Sequence, residues 1–441
     1  MSSSASDESC EGTVGDPGEA GSAAIGPNGR CERAVHLLFI VPEPWPTHRP
    51  DVSVLFGREL PRCGIRSDLV AGAWPAIAGA VAWGGGQACL RELRGGAVRR
   101  SCQMALHAIA QLLRGGTGPF DAVQVRDLPL LAALALPIAR LRGWRFFYWM
   151  SFPIPEASLA LARERRFADG IARGLARLVR GSIGKLMLDR IVLPRADHVF
   201  VQSDQMREAL ADRIPRARMT PVPMGVDLAA TEAPDLAAAA DPRLRGRRAL
   251  VYLGVMDRIR RIEILLEMLV ALQGQHSNVL LVMVGDTQDA EYRSWLQSRA
   301  EQLGVAEQVL WTGWLPTREA WRYVRAAEVG LSPIPRGPLL DVGSPTKPLE
   351  YLALGVPVVG NDNPDQARLL HESGGGLCVP WSADAFARAA STIMAMPKEE
   401  RARMAACGKS YISERRDYRV IASGLANVYR GLVRDDDDGR A

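Results

Sequence analysis

The sequence predicts an α/β protein: two Rossmann-like doubly wound lobes in series, facing a cleft. Two observations carry this prediction. Short apolar runs of strand length recur between helical stretches, and that rhythm stops near the middle of the chain and starts again. The length agrees, since 441 residues exceed what one ordinary core holds.

The first rhythm opens at Val35-His36-Leu37-Leu38-Phe39-Ile40-Val41, a continuous apolar run that suits a buried parallel strand. Pro42 to Pro50 reads as a proline-broken loop and Val54 to Cys63 as the helix after it. Strand runs follow at Ser67 to Ala71, Ala122 to Val125, Arg145 to Trp149, His198 to Gln202 and Met219 to Val222. Gly84-Gly85-Gly86 reads as a flexible loop. The second rhythm has strands at Ala249 to Gly254, Val279 to Asp286, Val309 to Trp314, Val329 to Ser332, Val356 to Val359 and Gly376 to Val379.

These runs divide the chain. Residues 1–32 are expected to be a disordered leader, 33–225 the N-terminal lobe, and 226–247 a linker without strand pattern. Residues 248–412 form the C-terminal lobe, 413–433 a helix packing back on the N-terminal lobe, and 434–441 an acidic tail.

Composition narrows the class. An apolar fraction of 47% and a charged fraction of 23% are those of a soluble globular protein. The seven cysteines are odd in number, scattered and without a C-x-x-C pair, which argues for reduced thiols without zinc or a disulfide frame. No apolar run reaches the ~18 residues that a membrane-spanning helix needs.

The most informative stretch is Gly343-Ser344-Pro345-Thr346-Lys347-Pro348-Leu349-Glu350-Tyr351, continuing through Gly355-Val356-Pro357-Val358-Val359. Ser344 suits an N-cap, Pro345 a first helical position, and Gly355 a helix stop before a buried strand. A helix start is an anion site through its free N–H groups and dipole, and Lys347 adds a full charge there. Glu350, three residues on, shares the face of Lys347 one turn deeper. A ligand with phosphates at one end and hydroxyls at the other, such as a nucleotide-sugar, suits that pair. A second basic loop, Gly254-Val255-Met256-Asp257-Arg258-Ile259-Arg260-Arg261, occupies a strand-to-helix turn where guanidiniums can grip phosphate oxygens.

The Ser-Pro-x-Lys-x-x-Glu-Tyr stretch with Gly-x-Pro-Val-Val resembles the donor-site signature of the group 1 (family four) retaining glycosyltransferases. The resemblance covers residues 195–412 and implies the two-lobed GT-B fold. It implies that Glu350 holds the ribose hydroxyls, while Ser344, Lys347 and the helix start face the diphosphate. It also implies that Arg260, with Arg258 beside it, binds the donor diphosphate, and that Gly313 and Trp314 bind the nucleobase through backbone atoms. Pro223-Met224-Gly225-Val226-Asp227 matches the turn that marks the crossing between lobes. The implied donor is a UDP-, GDP- or ADP-sugar and the implied acceptor a lipid-linked or saccharide hydroxyl. Neither a metal nor a cofactor is called for, because the basic groups and the helix dipole neutralise the leaving diphosphate.

The sequence departs from the family at two places. Members often carry a first glutamate eight positions before Glu350, where this chain has Val342 beside Asp341. Either Asp341 substitutes after a one-residue shift, or the chain belongs to a subgroup without that carboxylate. The N-terminal lobe matches in layout only, so no catalytic residue is carried over. A related enzyme, such as a nucleotide-sugar epimerase, and an inactive nucleotide-sugar-binding partner are the alternative readings.

Residues 158–195 hold nine Lys or Arg against three acidic residues, with Arg173, Arg177 and Arg180 on one helical face and Ile171, Leu175, Leu178 and Leu186 near another. A basic amphipathic segment of this kind can lie on an anionic bilayer, which suggests a cytoplasmic protein peripheral at the inner membrane face. Nucleic acid is disfavoured as a partner, because aromatic residues do not interleave with the basic ones.

Overall fold

The computed structural model describes residues 34–73, 82–114, 120–164 and 171–434. The leader over 1–32, residues 435–441 of the acidic tail and residues 165–170 of the basic segment lie outside the described residues. The first sheet has seven strands: β1 (Val35–Ile40), β2 (Ile65–Ala73), β3 (Ala88–Glu92), β4 (Ala122–Arg126), β5 (Arg145–Met150), β6 (His198–Val201) and β7 (Met219–Pro221). They run parallel in the order β3-β2-β1-β4-β5-β6-β7. The second sheet has six: β8 (Arg248–Leu253), β9 (Val279–Val284), β10 (Val309–Gly313), β11 (Val329–Ser332), β12 (Val358–Asn361) and β13 (Gly376–Val379). These are also parallel, in the order β10-β9-β8-β11-β12-β13.

Both sheets are buried on two faces by helices, which is why their strands read as continuous apolar runs rather than alternating ones. Each sheet reverses its strand order once, at β1/β4 and at β8/β11. The loops that leave the carboxyl ends of such a strand pair part to opposite faces and open a crevice between them.

Two local readings need correction. β3 was not foreseen, because Ala88–Glu92 is a half-exposed edge strand without an apolar run. Its approach through Gly84–Gly86 is fastened rather than flexible. The Trp83 indole donates to the Ser67 carbonyl at 2.6 Å, and Ser67 N–H donates to the Gly85 carbonyl at 2.8 Å. The linker contains a short helix, Leu228–Thr231, and is held to the C-terminal lobe by Arg325, which donates to the carbonyls of Thr231 and Leu236.

The helix Tyr418–Arg434 crosses back to the first sheet. Its Tyr418, Ala422, Leu425, Ala426 and Tyr429 join one apolar cluster with Phe39, Phe56, Phe147 and Phe200. Tyr429 Oη donates to Gln124 Oε1 at 2.5 Å, so the polar tip of a buried ring is satisfied inside β4. The chain crosses at the Gly225-Val226-Asp227 turn, where Val226 exchanges hydrogen bonds with the Arg416 carbonyl and the Tyr418 N–H. Gly225 is needed there, since an added Cβ would stand 2.7 Å from the Arg416 carbonyl oxygen.

Candidate functional site

The crevice of the C-terminal lobe lies between the loops after β8 and β11, and the side chain of Lys347 fills its floor. The Lys347 stem runs past the end of β8 so closely that a Cβ on Gly254 would meet its Cε at 2.7 Å. Gly254 also holds φ at +137°, a conformation that other residues rarely adopt. The ammonium stands over the ring of Tyr252, 5.4 Å from its centroid. Burial pushes the Lys347 amine well below the usual ammonium range, and the guanidinium of Arg260 pushes it further. Arg260 Nε is itself buried, with no hydrogen-bond partner among the described residues. Among the described residues no hydrogen bond or ion pair joins a carboxylate to either group, although Glu350 and Asp257 act on Lys347 from a distance, and burying the two basic groups together costs free energy until an anion arrives.

Glu350 completes this side. Among the described residues no ion pair joins it to Lys347. It accepts instead from the indole N–H of Trp321 at 3.1 Å, and burial raises its carboxyl above the ordinary value. Trp321 belongs to the helix Thr317–Arg325, a partner that spacing within residues 343–359 could not reveal.

Other anticipated residues are placed differently. The helix after the Ser344 loop begins at Lys347 and ends at Ala353, seven residues in all. Thr346 stands at its N-cap without a side-chain cap, and Pro348 rather than Pro345 lies in its first turn. So short a helix adds little dipole, and the positive potential has to come from Lys347 and Arg260. Ser344 is not the N-cap because its hydroxyl is used elsewhere. It accepts from Met224 N–H at 3.0 Å and donates to Asp365 Oδ2 at 2.6 Å, while Arg416 donates to Asp365 Oδ1 at 2.8 Å and to the Met224 carbonyl at 3.3 Å. Ser344 therefore ties the donor-side loop to the interlobe crossing.

Arg258 donates to Asp289 Oδ2 at 2.9 Å and lies over the Tyr292 ring, 4.8 Å from its centroid. It braces the loop on which Arg260 is carried. Gly313 ends β10 with φ +71°, and Trp314 beyond it is 54% exposed. Asp341 is held by Arg336 at 2.9 Å, and Val342 is buried in the apolar cluster of the other lobe. The Val342 carbonyl also accepts from Ser203 Oγ at 2.7 Å, so the position of the family's first glutamate is a contact between lobes.

The N-terminal crevice, at β1/β4, holds residues that sequence reasoning missed. Arg126, the last residue of β4, is wholly buried. It donates to Asp51 Oδ2 at 2.5 Å and to Ser151 Oγ at 3.2 Å, with Glu43 at 3.4 Å and Asp127 at 3.5 Å. Arg49 adds a second guanidinium 3.4 Å from Asp51. Asp127, at φ +50°, accepts from both the N–H and the hydroxyl of Ser151. Burial raises Asp127 and Glu43; it raises Asp51 too, but Arg126 and Arg49 outweigh it there and the carboxyl ends below its ordinary value. Glu43 Oε2 and Asp51 Oδ1 have no hydrogen-bond partner among the described residues. The signal in the sequence was Arg126-Asp127 at the end of an apolar strand, where a charge pair marks a strand end facing a crevice.

Comparison with known proteins follows this geometry. Residues 239–411 match the family described as Glycosyl transferases group 1. The chain is 28% identical over 204 residues to alpha-monoglucosyldiacylglycerol synthase of Streptococcus pneumoniae, covering 44% of this chain and 43% of that protein. It is 30% identical over 244 residues to the GDP-mannose-dependent alpha-(1-6)-phosphatidylinositol monomannoside mannosyltransferase of Mycolicibacterium smegmatis, covering 54% of this chain and 63% of that protein. The matches thus span less than two thirds of either relative. Among solved structures, Anabaena Alr3699/HepE in complex with UDP-glucose superposes with a TM-score of 0.62 at 13% identity, over 90% of this chain and 99% of that one. That likeness is one of fold.

Proposed function

With residues 239–411 belonging to the group 1 glycosyltransferases on a GT-B fold, we propose that this chain moves a sugar from a nucleoside diphosphate to an acceptor hydroxyl with retention. The observation that carries the proposal is the convergence of Lys347 and Arg260, neither joined to a carboxylate by an ion pair among the described residues, beside Glu350 at the β8/β11 crevice. Lys347 and Arg260 meet the diphosphate, and their charge counts most as the bond to the sugar breaks and negative charge collects on the leaving phosphate. Glu350, steadied by Trp321, turns its second oxygen to the ribose hydroxyls. Gly313 and the exposed Trp314 receive the nucleobase, Arg258 holds the loop of Arg260, and Ser344 holds the loop of Lys347. Across the cleft, the Glu43, Asp51 and Asp127 carboxyls are the hydrogen-bond acceptors that orient the incoming hydroxyl.

Both curated relatives are named for glycolipids, which supports a lipid-linked acceptor here. The basic segment 158–195 would then bring the enzyme to an anionic cytoplasmic membrane surface. The donor is a UDP- or GDP-sugar, since one relative is named for GDP-mannose and one fold neighbour was crystallised with UDP-glucose.

Release of nucleoside diphosphate from a panel of UDP-, GDP- and ADP-sugars, measured with lipid extract as acceptor, tests the reading. Acceptor-dependent release that falls at least about tenfold in Glu350→Ala supports it, given roughly 1.5–3 kcal/mol for a charged hydrogen bond. Binding of a nucleotide-sugar without turnover of any donor would instead make the chain a binding partner.

A further inference from the structure

We propose that three helices, Ala97–Arg114, Pro129–Leu141 and Ile171–Met187, together form one docking face for an anionic lipid bilayer. This deepens the membrane part of the proposed function and rests on it, but enlarges the contact well beyond 158–195. The first two helices bury Met104, Ala108, Leu112, Leu131, Ala135 and Ala139 in one cluster against the same side of the first sheet. The third packs beside the second and runs into Leu188 and Val192 of that cluster. The first two therefore turn their remaining surface away from that sheet face, and the third, which packs chiefly on the helix Ile154–Glu164 through Gly181 and Gly184, flanks the second.

That surface is apolar. Val98, Leu106 and Leu113 fall on one exposed stripe of the first helix, at 79%, 64% and 57% exposure. Leu130, Leu134 and Leu141 form a stripe on the second, and Leu175, Leu178, Val179, Ile183 and Leu186 one on the third. Of the nineteen large apolar side chains exposed among the described residues, eleven lie on these helices, so the patch is a concentration and not ordinary scatter. Arg142 Nη2 donates to the Leu113 carbonyl and links the ends of the first two helices.

Charge identifies the occupant. The three helices contain eight Lys or Arg and no Asp or Glu. Arg99, Arg100, Arg114 and Arg180 are exposed beside the apolar stripes. Lys185 is paired to Glu156 and Asp189 and Arg140 to Asp197, but the exposed arginines beside the stripes outnumber these acids, and an apolar face with a basic excess matches acyl chains beneath anionic headgroups. No described helix is long and apolar enough to cross a membrane, so the contact is one of surface.

Co-sedimentation of the full chain with vesicles of phosphatidylcholine, alone or with phosphatidylglycerol in equal parts, tests the face. Binding to the anionic vesicles only, released by high salt, is the expected result for wild type. A variant outside the basic segment, Val98→Ser, Leu106→Ser, Leu134→Ser and Leu141→Ser together, is expected to bind at least about tenfold more weakly. So is Leu175→Ser, Leu178→Ser and Val179→Ser together. If the first variant binds like wild type while the second does not, contact is confined to 158–195 and the three-helix face is overturned. If wild type fails to bind anionic vesicles at low salt, the face and the membrane reading both fall. A wild-type dimer, dissociated by either variant and indifferent to vesicles, would make the face a contact between copies and overturn the proposal. Should a serine variant melt lower than wild type, Arg99→Gln, Arg100→Gln and Arg114→Gln together decides by charge alone. Nucleotide-sugar affinity in the same variants tests the transfer reading independently.

Discussion

The ammonium of Lys347 stands 5.4 Å from the ring centroid of Tyr252, on a phenol that is itself fully buried. The ring face offers a weak negative potential in place of a carboxylate. The ring positions the amine without pairing it to an anion, so its charge is completed only when a phosphate arrives. The same burial pushes the Tyr252 phenol up to about 12, so it stays protonated and does not become the missing anion.

Proton uptake should accompany diphosphate binding. Burial and Arg260 hold the Lys347 pKa well below its ordinary value in the free protein, and a bound diphosphate restores it. Between the free and bound values the complex holds more protons than its parts, so protons enter on binding and affinity falls as pH rises through that window. Titration calorimetry in buffers of different ionisation enthalpy should give heats that depend on the buffer. Heats independent of buffer, or uptake retained in Lys347→Met, would sink this account.

The two loop arginines should separate. Arg260→Ala removes charge from the diphosphate and should lower kcat/KM by about tenfold to a hundredfold. Arg258→Ala loses the brace on Asp289 and Tyr292, at an exposed site where such pairs contribute only about 0–1 kcal/mol, and should cost a few-fold at most. Steady-state kinetics on both variants checks this. Equal small effects would return the whole loop to ordinary solvated surface.

At the hinge, Asp365→Ala leaves Arg416 buried with its charge uncompensated and also strips a partner from Ser344. Breaking a buried pair on one side costs about 3–5 kcal/mol, so the urea midpoint should drop sharply. Arg416→Met with Asp365→Leu should recover much of the loss, because the two apolar side chains need no partner. Single and double variants equally unstable would mean that geometry, and not charge, holds the crossing.

His198 sets a pH limit on the first lobe. It is buried on β6 with Nε2 2.8 Å from Thr220 Oγ1, and burial, with Arg218 adding, lowers its pKa to about 4. The native state keeps it neutral, whereas the unfolded chain protonates it near 6.5. Stability is therefore full above that value and falls as pH drops from there towards 4, by up to about 3 kcal/mol. Subtracting the unfolding curve of His198→Gln from that of wild type should leave this slope. A flat difference would refute it.

How much of this could be read from the sequence depended on distance along the chain. Lys347 and Glu350 are three residues apart, and Arg260 follows a strand end directly, so their chemistry was visible locally. The roles of Ser344 and Val342 were not, because their partners Met224 and Ser203 lie more than a hundred residues away. The Arg126 cluster was hidden for a related reason. Its guanidinium is solvated by carboxylates from a loop some 75 residues earlier, and no window on β4 contains them. The parallel strands were legible since burial on both faces makes them uniformly apolar. β3 escaped because an edge strand has no such requirement.

The return of the helix Tyr418–Arg434 to the first sheet also sets an order of events during synthesis. The seven strands are translated by residue 221, yet the aromatic surface of Phe56, Phe147 and Phe200 that receives Tyr429 is closed only once residue 434 has been made. At ordinary elongation rates that interval is on the order of ten to forty seconds. Through it a nascent lobe leaves that apolar flank open to solvent. A premature stop anywhere in the last helix would then injure the lobe that was made first and leave the later one sound.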